Sequence, residues 1–104
     1  MSETITLVTC KNRRQATGIA RVLVREKLAA CVNVLPGITS IYRWEGVVEE
    51  TSEVLLVIKS RRRLSKSLLA RVRALHTYQV PEVVTIPIIT GNPAYLRWVR
   101  QSTR

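Results

Sequence analysis

One histidine, two cysteines and seven glutamates are the side chains of this 104-residue chain best suited to metal or acid–base chemistry, and no aspartate accompanies them. Cys10 closes an alternating Thr/Ile/Leu run just ahead of a helical stretch. The backbone N–H groups of a helix start, with Lys11 and Arg13 beside it, favour a thiolate, so a lowered pKa is expected there. A thiolate is a soft ligand suited to Cu(I); the competing reading is a small residue buried in a tight turn. His76 is a single imidazole and makes no strong site alone. Glu82, six residues further on, can supply an oxygen ligand or a hydrogen bond that fixes the imidazole tautomer. Tyr78 lies between them and can position either group. The candidate metal set is therefore Cys10, His76 and Glu82, with Tyr78 and Trp44 as the lining of a ligand cleft. Spacing leaves open whether Cys10 and His76 share one site, and HTYQVPE also reads as a rigid connector that caps a helix. Cys31 has no chelating neighbour in sequence and reads as a packed thiol. Without a CxxC motif both cysteines are expected to be free.

What is missing argues for binding rather than catalysis. The chain has no glycine-rich phosphate cradle, no HExxH, and no Cys or Ser paired in sequence with a histidine base. No enzyme activity and no organic cofactor are expected; copper or another divalent cation, held weakly, is. The net charge of +10 rests on stretches that read as helices, while Glu45, Glu49, Glu50 and Glu53 crowd one hairpin. A basic helical exterior and an acidic arm follow. The arm's carboxylates can attract hard divalent ions weakly, but their simpler role is to pair with arginines of neighbouring subunits and to discourage edge-to-edge aggregation. A nucleic-acid partner is not expected: there is no Phe, and only Tyr42 and Trp44 stand near the end of a strand. Salt-dependent phosphate contact through the basic helices is the alternative. MSETITLVTCKNRRQ lacks the basic start and apolar core of a signal peptide, and no uninterrupted apolar run approaches 18 residues. A soluble cytoplasmic protein with no membrane partner is expected.

These groups must be positioned by a small number of elements. At 46% apolar and 23% charged the chain reads as one globular domain able to build a core without a staple. Thr4 to Cys10 alternates as a half-buried strand does. From Arg14 to Leu28 the apolar residues Ala16, Ile19, Ala20 and Leu23 fall at helical spacing. Cys31 to Trp44 and Val47 to Lys59 are two extended runs that meet at Glu45-Gly46, a single long hairpin. Leu64, Leu68, Val72 and Leu75 mark a second helix, and Val83 to Ile89 a fourth strand. Pro87 donates no ladder hydrogen bond and sends that strand to a sheet edge. Gly91-Asn92-Pro93 supplies a break, an N-cap and a first-turn proline for a short helix, Pro93 to Gln101. The order β, α, β, β, α, β predicts a ferredoxin-like split βαβ α+β fold with strand order 4-1-3-2.

A 14-residue strand spans about 45 Å at about 3.3 Å per residue, against about 33 Å for the diameter of a compact 100-residue domain. The hairpin is expected to overhang its domain and to be covered by another copy of the chain.

EKLAACVNVLPGITSIYRWEG, EVLLVIKS, HTYQVPEVV and GNPAYLRWV resemble the CutA family of divalent-cation tolerance proteins, and the resemblance runs from about Thr4 to Val99. The resemblance implies a homotrimer joined through the hairpins, with Val34, Tyr42, Trp44 and Glu50 in the trimer arm. It implies divalent-metal binding and copper tolerance as in bacterial members; animal members are associated with the anchoring of acetylcholinesterase. Cys10 matches a cysteine implicated in copper binding in some bacterial members. His76, Tyr78, Pro81 and Glu82 match the motif HPYxxPE, with Thr77 in place of its proline. Leu75 stands where some members carry a second histidine. At the level of fold, a trimeric ring of this kind is also similar to the PII signalling proteins, so a small-ligand sensor is the alternative function.

Overall fold

The computed structural model describes residues 2–104. Strand β1 (Glu3–Cys10) is followed by helix α1 (Arg13–Arg25), strands β2 (Cys31–Trp44) and β3 (Val47–Arg61), helix α2 (Ser65–Leu75), strand β4 (Val83–Pro87) and helix α3 (Pro93–Gln101). The four strands form one antiparallel sheet in the order β2-β3-β1-β4, which is the expected 4-1-3-2 read from the other edge. No helix of the described residues is long and apolar enough to cross a membrane.

Local chemistry sets the ends of each element. Asn12 caps α1 by accepting from the Gln15 N–H at 2.9 Å, and Asn92 caps α3 by accepting from the Ala94 N–H at 3.1 Å. Helix α1 stops at Arg25, three residues short of the expected Leu28. Lys27 adopts a φ of 60°, and the Leu28 and Ala29 N–H groups both turn back onto the Leu23 carbonyl, at 3.0 and 3.2 Å. A left-handed residue closes the last turn more favourably than continued helix would. Strand β4 ends at Pro87, not Ile89, because its partner β1 runs out: Pro87 sits opposite Thr4, and the Ile88 N–H makes one last bond to the Glu3 carbonyl at 3.0 Å. Glu45 and Gly46, with φ of 50° and 81°, close the long hairpin as the two-residue turn whose twist matches paired strands.

The pleat divides the sheet into two unlike faces. On one, Val8, Cys10, Val54, Leu56 and Ile58 meet Ala16, Ile19 and Leu23 of α1 and Leu68 and Val72 of α2, forming the buried core. On the other lie Ile5, Leu7, Leu35, Leu55, Val57, Val84 and Ile86, neighbours across the ladder. Helix α3 packs on β1 and β3, with Val99 fully buried and Arg100 reaching Glu3 at 3.0 Å. Leu35, Val84 and Ile86 stay more than 40% exposed. The molecule measures 44 × 25 × 23 Å, so one axis is about the length of the arm.

Glu3 is almost completely buried, and the hydrogen bond from Arg100 holds its carboxyl below the ordinary carboxylate range. A group whose pKa is lower in the folded state contributes stability above its unfolded pKa of about 4.3 and loses it as pH falls through the folded value. Melting temperature is therefore expected to drop as pH falls below about 4.3, and a Glu3→Gln protein to show a shallower acid slope. Parallel slopes in a thermal-shift series would remove Glu3 as a source of the acid sensitivity.

Candidate functional site

The connector between α2 and β4 crosses the sheet end where the hairpin leaves the domain, and it carries the residues singled out from sequence. His76 ends α2, its N–H still bonded to the Val72 carbonyl. Its Nδ1 accepts the Tyr78 N–H at 3.0 Å, so Nε2 carries the proton and donates to the Thr9 carbonyl at 2.8 Å. The imidazole is thereby locked between β1 and the connector with neither nitrogen free. Its ring lies 4.7 Å from that of Tyr78, tilted by 41°. The Tyr78 hydroxyl continues the chain by donating to Glu53 Oε2 at 2.6 Å. Burial, and then the adjoining Glu53 carboxylate, push the Tyr78 phenol well above its ordinary pKa, so it remains a donor.

Cys10 corrects the expectation of an activated thiolate. Its side chain is fully buried in the core, and burial followed by the charge of Glu53 pushes its pKa up to about 11. The desolvation cost of a buried thiolate outweighs the helix-start field. Cys31 is free and half-buried on the opposite face.

Glu53 is the residue that sequence reasoning misplaced. Read as one of the arm's surface acids pairing with a neighbour's arginines, it is instead buried to 7% exposure and bonded to Tyr78. Its position immediately before the apolar run Val54–Ile58, where β3 enters the core, was the available signal. Val34, expected in the overhanging arm, packs against the chain's own core, because its pleat position matches that of Val32.

Tyr42 and Trp44 reach the site through an irregularity. Between Leu35 and Ile38, β2 carries one residue more than β3, with Gly37 at φ 79°. This bulge resets the alternation. Beyond it Ser40, Tyr42 and Trp44 share the face of Glu49 and Glu53 instead of following Val32 and Val34 onto the core side. The result is a cavity of about 580 Å³ beside the hairpin. Glu49, Glu53 and Glu82 give it carboxylates; Tyr42, Trp44 and Tyr78 give it aromatic walls; Thr9, Ser40 and Gln79 complete its polar lining. Glu82 and Tyr78 thus line one cavity with Trp44, whereas His76 stands behind Tyr78 and Cys10 lies on the core side. Among the described residues no three His, Cys or Glu side chains converge closely enough to grip a bare metal ion. Glu50 sits on the arm opposite Ile41 and does not line the cleft.

A small α+β domain with two helices on one sheet face and a short third on the other, a long hairpin and an acidic, aromatic-walled cleft at its root is the class defined by this geometry. The chain belongs to the family described as CutA1 divalent ion tolerance protein, matched over residues 4–102. It is 50% identical over 101 residues to the divalent-cation tolerance protein CutA of Thermus thermophilus, covering 97% of this chain and 98% of that one. It is 52% identical over 96 residues to Protein CutA of Mus musculus, covering 92% of this chain but only 54% of the mouse protein. The chain thus spans about half the length of that animal relative. A solved structure of the Thermus thermophilus divalent cation tolerance protein superposes with a TM-score of 0.96 at 49% identity, covering 98% of this chain and 99% of that one.

Proposed function

We propose that this protein is a cytoplasmic homotrimer of ferredoxin-like subunits that binds divalent cations, copper among them, in the cleft at the root of the hairpin. Through reversible uptake it contributes to divalent-cation tolerance, without catalysis. The observation that carries this reading is the placement of Glu49, Glu53 and Glu82 around one cavity. Carboxylate, hydroxyl and amide oxygens suit hard or borderline divalent ions that keep part of their hydration shell, and such binding is weak. The cavity is wide enough for a hydrated ion. A thiolate–imidazole copper set fits this chain less well, because Cys10 is buried and protonated and both nitrogens of His76 are engaged.

A second reading has its own support. A volume of about 580 Å³ with three aromatic side chains is that of a small-molecule pocket. The carboxylates select against phosphates and for an organic cation. Trimer formation is supported by the apolar sheet face that α1 and α2 leave uncovered and by the exposed arm residues Ile41, Tyr42, Trp44, Val47 and Val48.

Titration of the protein with Mn²⁺, Cu²⁺ and Zn²⁺ under native mass spectrometry tests the assignment. We expect one ion per chain in the wild type. In the Glu49→Gln/Glu53→Gln/Glu82→Gln variant we expect affinity to fall by at least about 10-fold, the effect of losing even a supporting partner of a ligand. Gln at position 53 still accepts the Tyr78 hydrogen bond, so the fold is retained. Unchanged uptake in that variant, with loss in Cys10→Ala/His76→Ala, would move the site to the thiol and imidazole.

A further inference from the structure

We infer that the outer face of α1, with the adjoining end of α2, binds the phosphate backbone of double-stranded nucleic acid without reading its sequence. Arg14, Arg21 and Arg25 fall within about 40° of one another around the helix axis, a single stripe about 16 Å long. All are exposed, and the side chains of this stripe make no hydrogen bond or ion pair among the described residues. Arg62, Lys66 and Arg73 extend the charge onto the α2 side, where they too are exposed. The one carboxylate on these helices' side of the molecule, Glu26, is taken up by Arg71 through two bonds of 2.9 and 2.8 Å. No acid is left to balance the stripe, and its self-repulsion is relieved by a polyanion.

A second observation lies within the stripe. Gly18 occupies the gap between Arg14 and Arg21, in mid-helix, where glycine costs about 1 kcal/mol relative to alanine. Packing does not demand it, since a Cβ placed there meets nothing within 4 Å. It borders a groove of about 440 Å³ lined also by Lys11, Arg14, Gln15 and Thr77. A missing side chain between two arginines, above a concave basic surface, lets a phosphate strand approach the helix closely.

The rest of the face selects among polyanions. Arginine forks match phosphate oxygens. Val24 and Leu69 are the only exposed large apolar residues of α1 and α2, and the apolar side of α1 is committed to the core. Insertion into a lipid surface, which needs a large apolar face, is therefore disfavoured. The exposed aromatics Tyr42, Trp44, Tyr95 and Trp98 lie on the arm and α3, so base stacking on a single strand has no platform here.

Fluorescence anisotropy with a labelled duplex of about 30 base pairs, at salt from about 50 to 200 mM, is the test. The wild type is expected to bind with a Kd near the micromolar end of the non-specific range at about 150 mM, with log Kd linear in log salt. The Arg14→Gln/Arg21→Gln/Arg25→Gln variant is expected to bind at least about 10-fold more weakly and to lose about 0.9 of slope for each contact removed. Its melting temperature and metal uptake stay unchanged, and Arg97→Gln on α3 leaves duplex binding intact. No wild-type binding at about 150 mM salt, or an unchanged slope in the triple variant, would overturn the inference. Capture by phosphatidylserine vesicles in place of duplex would overturn it in favour of a membrane surface.

Discussion

A Leu35→Asp protein is expected to elute as a folded 11.8 kDa monomer, whereas Val34→Asp, one residue away, is expected not to fold. The difference comes from the pleat. Val34 lies opposite Leu56 and packs on the core beneath α1 and α2; Leu35 lies opposite Leu55 on the uncovered face and is 41% exposed in the isolated chain. An aspartate at position 35 keeps its hydration in a monomer. In the proposed trimer it would be taken from water among Leu7, Leu55 and Val57, at a cost of several kcal/mol in each subunit. Linked assembly multiplies that cost, so dissociation is expected to be complete at micromolar concentration. Light scattering after size exclusion measures the mass, and circular dichroism the fold. A stable trimer of Leu35→Asp would refute the assignment of this face to subunit contact. A well-folded Val34→Asp would show that a charge at this partly buried position can stay in water at the margin of the core.

The second large effect is in the core itself. Leu56 is fully buried in β3, flanked by Val8 of β1 and Val34 of β2 and facing the helices. Truncation to alanine removes its dispersion contacts and leaves a cavity that central strands cannot collapse, so a loss of about 2–5 kcal/mol is expected. Against a domain stability of about 5–15 kcal/mol this is a large fraction. Urea unfolding, at fixed chain concentration, should register it as a lower midpoint with an unchanged slope. A loss under about 1 kcal/mol would mean that α1 settles onto the vacancy, which the small residues Ala16 and Ala20 would then have to permit.

The two sites adjoin at the connector after α2, where Thr77 borders the basic groove and Tyr78 the acidic cleft. Carboxylates gather at the root and tip of the hairpin, and arginines cover the helices. The net charge of +10 is thus not spread evenly. The proposed cation and polyanion sites would each carry their own salt dependence.

Much of this was legible in the residues. Alternation and helical spacing are local properties, so the element order, the hairpin meeting at Glu45-Gly46, the caps at Asn92 and Pro93 and the edge position of the Pro87 strand could all be read before any contact was known. The family was legible as well, from four ordered motifs. The long-range placement was not. That Tyr78 bonds to Glu53, 25 residues earlier, depends on where the connector crosses the sheet. That Cys10 is a buried, protonated thiol and not an exposed nucleophile depends on two helices closing over it, which no neighbour in sequence announces. Strict alternation from Val32 and Val34 would send Tyr42 and Trp44 toward the core side; a one-residue bulge at Gly37 sends them to the cleft instead. Which elements form, and in what order, depends on near neighbours along the chain and so can be read from the residues alone. Which side chains share a site depends on contacts between distant residues, because one inserted residue in a strand reverses every side chain beyond it.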